Sequence, residues 1–334
     1  MLLVDAVLHG GVRVRRSLPL VKQRGQTWND AVVSTDRTAS ETNATSVGDS
    51  SDTTLTALLD LLNLEPIEQN LFRGISPKET QQRVFGGQVA AQALVAATRT
   101  VEDCPVHSLH ANFLRPGDPR VPIVYQVERL RDGRSFSTRR VVAVQHGRSI
   151  FQLSASFQVR EEGLDHHDPM PTGLPAPESV PDLATRLRED GLRWEAPYPS
   201  QLLDIRPVEI LLPYETTPMP PTRHIWLRTT GRMPDDPLLH ACVLTYASDL
   251  YLLGTSLLPH GVSGGSEEMF LASLDHAMWF HRPFRVDDWL LYAQHTPSAS
   301  GGRGFVTGSV FNPDGTLAVS VAQEGLVRPR RSAP

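Results

Sequence analysis

The sequence predicts an α+β fold built twice over, from two copies of a unit in which one long helix is wrapped by an antiparallel sheet. Three observations carry that expectation. The chain repeats itself: HSLHANFLRP (His107 to Pro116) and ASLDHAMWFHRP (Ala272 to Pro283) share a Ser-Leu, a His, a Phe and an Arg-Pro in one order, with Arg115 matching Arg282 at an offset of 167 residues. About 31 residues after each Arg-Pro comes a turn dipeptide, His146-Gly147 and then Asp314-Gly315, flanked by strand-like runs. An apolar segment of helical character precedes the motif in both copies.

The elements follow in order. Residues 1–54 read as an N-terminal extension, because STDRTASETNATSVGDSSDTT holds too little apolar surface to order itself. In the first repeat, residues 55–160, NLFRGIS is a short strand. FGGQVAAQALVAATRTV then sets Val89, Ala93, Ala97 and Val101 on one helical stripe. Four strands come next, SLHANFLRP, VPIVYQVERLRDG, SFSTRRVVAVQHG and RSIFQLSASFQV, separated in part by Asp-Gly and His-Gly turns. Residues 161–204 form a linker rich in proline. In the second repeat, residues 205–330, RHIWLRTTG is the strand, Asp236 is a plausible N-cap and Pro237 takes the first helical position. Two such units paired edge to edge make a double hotdog.

Composition narrows the function. With 334 residues, 40% of them apolar, the chain has ample material for a core. Its 32 basic and 37 acidic residues leave a formal charge of -5, which offers no general attraction to nucleic acid or anionic lipid. No membrane span is expected, since the one segment long enough, around Asp249, carries that charge. The two cysteines, Cys104 and Cys242, are too few for a disulfide framework, and a reducing, cytoplasmic location is expected. Metal binding is not expected either: His107 with His110, and His167 with Asp168, are isolated pairs. No phosphate-binding or dinucleotide fingerprint is present, and no cofactor is implied.

Within LLHACVLTYASDLYLLGTSLLPHG, Leu238 to Gly261, Asp249 is the single carboxylate. A lone buried carboxylate costs several kcal/mol unless something pairs with it.

Several long motifs also resemble a known family. VFGGQVAAQAL, HSLHANFLRPGD, RDGRSFSTRRVVAVQHGRSIFQLSASFQ, YASDLYLL, SLDHAMWFHRPFRVDDWLLY and RGFVTGSVFNPDGTLAVSVAQEGLVR are similar to the acyl-CoA thioesterase II family, over about Leu55 to Arg328. The resemblance implies hydrolysis of fatty acyl-CoA to free fatty acid and coenzyme A, with no covalent acyl-enzyme. It also implies a water oriented by an Asp on the second helix, a Ser or Thr at the start of the next strand and a Gln near the end of the last. Those fall on Asp249, Ser273 and Gln323. By analogy the chain should assemble as a homodimer or a higher homo-oligomer.

The residues support the assignment independently. Aligning FQLSASF with LAVSVAQ sets Ser154 against Ser320 and Phe157 against Gln323, so the first unit is apolar where the second carries an amide. No acidic residue occurs between Gly86 and Thr100 in the first helix. Gly86 and Gly87 are candidates for substrate binding: at a helix N-terminus they present backbone N–H groups to an anion or oxyanion, or they simply permit close packing. Arg303 and Arg328 are candidates for the coenzyme A phosphates. His276 and His281 read as packing or hydrogen-bonding residues.

Two other functions fit the same fold. An enoyl-CoA hydratase would use an acid-base pair such as Asp275 and His281, and a non-catalytic acyl-CoA binding protein would leave Asp249 without a task. GVSGG, Gly261 to Gly265, matches a nucleophile elbow around Ser263, but a helix-like run precedes it and a strand-like run follows, the reverse of what an elbow needs.

Overall fold

The computed structural model describes residues 48–330, apart from 78–82, 103, 190, 196–200, 213–214 and 264–267, together with two N-terminal strands, β1 (Asp5–Leu8) and β2 (Val12–Arg16). Helix α1 (Gly48–Leu62) leads into the first repeat: β3 (Glu65–Glu68), β4 (Leu71–Gly74), α2 (Gly86–Thr98), β5 (Val106–Phe113), β6 (Ile123–Asp132), β7 (Phe136–Gln145) and β8 (Arg148–Gln158). The connection contains α3 (Leu183–Glu189) and β9 (Leu192–Glu195). The second repeat runs β10 (Leu203–Pro207), β11 (Thr222–Thr229), α4 (Pro237–Ser248), β12 (Met269–Ser273), β13 (Asp275–Phe280), β14 (Leu290–Ser300), β15 (Arg303–Phe311) and β16 (Leu317–Pro329). A 3-10 helix, Leu253–His260, lies between α4 and β12.

Thirteen strands form one antiparallel sheet, in the order β10-β11-β14-β15-β16-β13-β5-β8-β7-β6-β4-β3, with β12 on β16. The order reads as a palindrome of the repeat. Its centre is the β5/β13 pair, where His110 stands opposite Ala277, residues that match at the repeat offset. A local dyad therefore relates the halves, and the two repeats make the double hotdog. Arg115 and Arg282 make the same contact in each half, donating to Ser149 O and Leu317 O.

That correspondence corrects one alignment. His110 pairs with Ser154, and Ala277 pairs with Ala322, so the position equivalent to Gln323 is Ala155 rather than Phe157. The connection from β15 to β16 spans residues 312–316, whereas His146-Gly147 alone joins β7 to β8, and this difference shifts the returning strand. At that shorter turn both residues have positive φ, 48° and 69°, the geometry of a tight hairpin turn. The first half remains apolar at the equivalent place.

Helix α2 is buried on all sides, from Gly87 to Ala97, and not along one stripe. Its alanines let α1, α4 and the inner face of the sheet approach together. α1 was not foreseen as an element: Leu55, Leu58, Leu61 and Leu62 follow a helical spacing and enter the core. The expected boundary at residue 54 thus falls inside α1. The rest of the extension lies largely outside the described residues, except that β1 and β2 pair with each other and β2 with β9.

The linker packs on the outer face of the second half of the sheet. There Val180 joins Trp226, Leu291 and Phe311 in a second apolar cluster, and Trp226 Nε1 donates to Pro175 O at 3.0 Å. Segment Pro237–His260 is long and apolar enough to cross a membrane by length and composition, but 94% of that window is buried inside the protein.

Candidate active site

α4 begins as the sequence indicates. Asp236 caps it, accepting from Leu238 N and Leu239 N at 2.9 and 3.3 Å, and Pro237 is its first residue. The helix ends at Ser248, so Asp249 is its C-cap, and the chain turns away through Tyr251 at φ 63°. A carboxylate at a helix C-terminus gains nothing from the helix dipole. What holds it comes from other elements.

Gln323, on the inner face of β16, donates through Nε2 to Asp249 Oδ1 at 2.6 Å and to Ser273 Oγ at 3.1 Å. Ser273 Oγ in turn lies 3.4 Å from Asp249 Oδ1, a long contact. The three expected residues are therefore brought together. Ser273 ends β12 and does not begin the next strand. Between its pairing with Gly325 and that of Ala277 with Ala322, residues 274–276 face only 323 and 324. This irregularity bends the strand at the site, as β-bulges do beside functional residues.

Gly86 and Gly87 back the carboxylate. The Gly87 N–H donates to Asp249. A Cβ on Gly86 would sit 2.7 Å from Asp249 Oδ2, and one on Gly87 would sit 2.5 Å from Tyr246 O. Of the two uses considered for the glycine pair, close packing is what the contacts show, and the anion that the Gly87 N–H meets is Asp249 itself and not a substrate. The first repeat supplies a donor to a carboxylate in the second.

Asp249 is 5% exposed and Gln323 fully buried. Burial pushes the Asp249 carboxyl up to about 6, opposed by the hydrogen bonds from Gln323, Gly87 and Ser273 and by the charge of Arg83. A group poised there is ionised at neutral pH and still basic enough to take a proton. Gln323 Oε1 is buried without a partner among the described residues.

Sequence reasoning did not single out three supports. Arg83 lies near enough to bias Asp249 and donates to Leu271 O at 2.8 Å. Tyr292 donates from its hydroxyl to Ser248 O at 3.0 Å, fixing the end of α4. Ser248 Oγ meets His276 Nε2 at 2.8 Å. His276 is buried, which pushes its pKa down to about 4 and keeps it neutral. The expectation that His276 packs or hydrogen-bonds agrees with this contact. No spacing pattern marks Arg83 or Tyr292.

The other candidates are accounted for by separate contacts. Asp275 Oδ1 accepts from Glu324 N at 2.7 Å, whereas His281 Nε2 meets Ser320 Oγ at 2.9 Å, so the two are not assembled as a pair. His107 meets Ser156 Oγ at 2.8 Å, and His110 packs edge-on against Trp279. Ser263 follows the 3-10 helix and precedes β12, so no strand leads into it. Among the described residues no group of His, Cys, Asp and Glu could hold a metal ion.

Comparison with known proteins bears on this site. Residues 75–158 match the acyl-CoA thioesterase N-terminal domain, and residues 199–326 match the acyl-CoA thioesterase family. Acyl-coenzyme A thioesterase 8 of Homo sapiens is 45% identical over 282 residues, which cover 80% of this chain and 88% of the relative. The chain belongs to the acyl-CoA thioesterase family. Within that family, acyl-CoA thioesterase 2 of Haemophilus influenzae is 41% identical over 280 residues, 82% of this chain and 98% of the relative. The crystal structure of an acyl-CoA thioesterase II from Mycobacterium marinum superimposes with a TM-score of 0.67 at 44% identity, covering 81% of this chain and 98% of that one. Asp249, Ser273 and Gln323 all lie within the span of the acyl-CoA thioesterase family match, and Gly86 and Gly87 within that of its N-terminal domain.

Proposed function

We propose that this acyl-CoA thioesterase hydrolyses fatty acyl-CoA through a water held by Asp249, Ser273 and Gln323. The observation that carries the reading is the convergence of one buried carboxylate with a hydroxyl and an amide from two neighbouring strands. Asp249 takes a proton from the water as it attacks the thioester carbonyl, and Ser273 and Gln323 aim it. The Gln323 Oε1 atom is available to accept the water's second hydrogen. Gly86 opens α2 without a capping side chain at Phe85, and its N–H suits an oxyanion. Thioester cleavage releases the coenzyme A thiol directly, with no acyl-enzyme.

Steady-state thiol release by Asp249→Asn tests the assignment. Turnover should fall about 10²- to 10⁴-fold in a variant that keeps its circular dichroism, the range of a general base. Near-native turnover in a folded variant would make Asp249 structural. The same reading includes a homodimer or larger assembly, which light scattering at micromolar concentration checks. It also places the chain in a reducing, cytoplasmic compartment, where the buried Cys104 and Cys242 remain thiols.

A further inference from the structure

Strand β12 has an open edge, and two arginines cover it. Among the described residues β12 pairs only with β16. Val327, which stands opposite Leu271, turns its N–H away to Gly302 O, so the backbone of Leu271 also faces outward from the pair. On that outer edge Arg83 Nη2 donates to Leu271 O at 2.8 Å and Arg330 Nε donates to Met269 O at 3.2 Å. Carbonyls two residues apart on one edge are roughly 7 Å apart. Two guanidinium groups therefore stand side by side along the strand.

Among the described residues neither has a carboxylate in salt-bridge contact, and neither does Arg328, which lies opposite Phe270 across the strand pair. The Arg83 guanidinium is held below its usual value by burial and by the charge of Arg330, while Asp249 acts the other way. Like charges fixed side by side with no carboxylate in direct contact favour an anionic ligand that bridges them. Phe270 adds an aromatic face beside them: it is 42% exposed, with Arg83 Cζ 5.7 Å from the ring centroid. Ser273 is four residues along the same strand from Met269, roughly 13 Å. The cationic edge thus leads outward from the place of the reacting bond.

We propose that Arg83, Arg330, Arg328 and Phe270 form the subsite for the nucleotide end of the acyl-CoA, with the guanidinium groups on its phosphates and the ring against the adenine. The inference rests on the hydrolase reading and adds the path by which the coenzyme leaves the site. It keeps Arg328 and replaces Arg303, whose Nε is already committed to Glu324 at 2.8 Å.

The test compares an acyl-CoA with the same acyl group on pantetheine, which keeps the thioester and lacks the nucleotide. In Arg330→Gln, KM for the acyl-CoA should rise about tenfold, the loss expected for a charge-assisted hydrogen bond. The ratio of kcat/KM for acyl-CoA to that for acyl-pantetheine should fall by the same factor. Arg330→Lys should recover part of it, and Arg328→Gln, at an independent surface position, should move the ratio the same way. Adenosine 3′,5′-bisphosphate should compete with acyl-CoA in the native protein and compete less well in Arg330→Gln. An unchanged ratio in both Gln variants overturns the subsite. Native protein that cleaves neither thioester defeats the hydrolase reading, whereas native protein that cleaves both with equal kcat/KM keeps the hydrolase and removes the subsite.

Discussion

Asp249 illustrates what a buried carboxylate costs its own protein. Its pKa rises from an ordinary 3.8 to about 6 on folding, so the folded state binds a proton more tightly than the unfolded one. The associated stability is therefore fully present below pH 4 and lost as pH climbs through 6, a difference of about 3 kcal/mol. Asp249→Asn has no such dependence at this site. In urea melts, the Asn variant should gain on the native protein between pH 4 and pH 7, and a stability difference that stays flat with pH would show that the carboxylate is not strained by burial. Activity should run the opposite way: kcat/KM should fall tenfold per pH unit below about 6, as the base becomes protonated. A limb near pH 4 instead would mean that Asp249 is solvated when substrate arrives.

At the scale of elements, the site depends on how closely α2 approaches the end of α4. Gly86→Ala puts a methyl group 2.7 Å from Asp249 Oδ2 and 2.9 Å from the Phe113 ring, so the carboxylate must move. A displacement of that size is expected to reduce turnover about 10²-fold. Gly87→Ala meets a backbone oxygen, which cannot step aside, and should also cost about 1–3 kcal/mol of stability by overpacking, read as a lowered melting temperature. Ser263→Ala, by contrast, should keep most of the activity, and its loss would point to a serine nucleophile. These elements also show what the sequence could and could not reveal. The Asp236 cap and the order of elements along each repeat were legible because capping and alternation are local patterns, and the three converging residues were implied by the family resemblance of the motifs that hold them. The contact of Gly87 with Asp249 joins two repeats, and Arg83 acts through the edge of a distant strand, so neither leaves a local trace. The misaligned partner of Gln323 has a similar origin, since matching serines concealed the longer connection at 312–316.

For the whole molecule, the local dyad at His110 and Ala277 makes each half the wall of the other. A fragment of residues 205–330 contains Asp249, Ser273 and Gln323, yet it lacks the Gly87 donor and leaves the β13 edge unpaired. Such a fragment should show no thiol release and should aggregate when expressed alone. A soluble, active fragment would disprove the interdependence.

The same dyad bears on inheritance. In an assembly of two identical chains every substitution is made twice, so a change that helps one site is imposed on its mirror image. Once both copies lie on one polypeptide, each can drift separately. Ala155 and Gln323 occupy equivalent places on opposite sides of one axis, and of the two it is Gln323 that reaches the Asp249 carboxylate. The first copy is thus free to change in whatever way keeps the floor under Asp249 in place, and Gly86 and Gly87 are where that freedom ends.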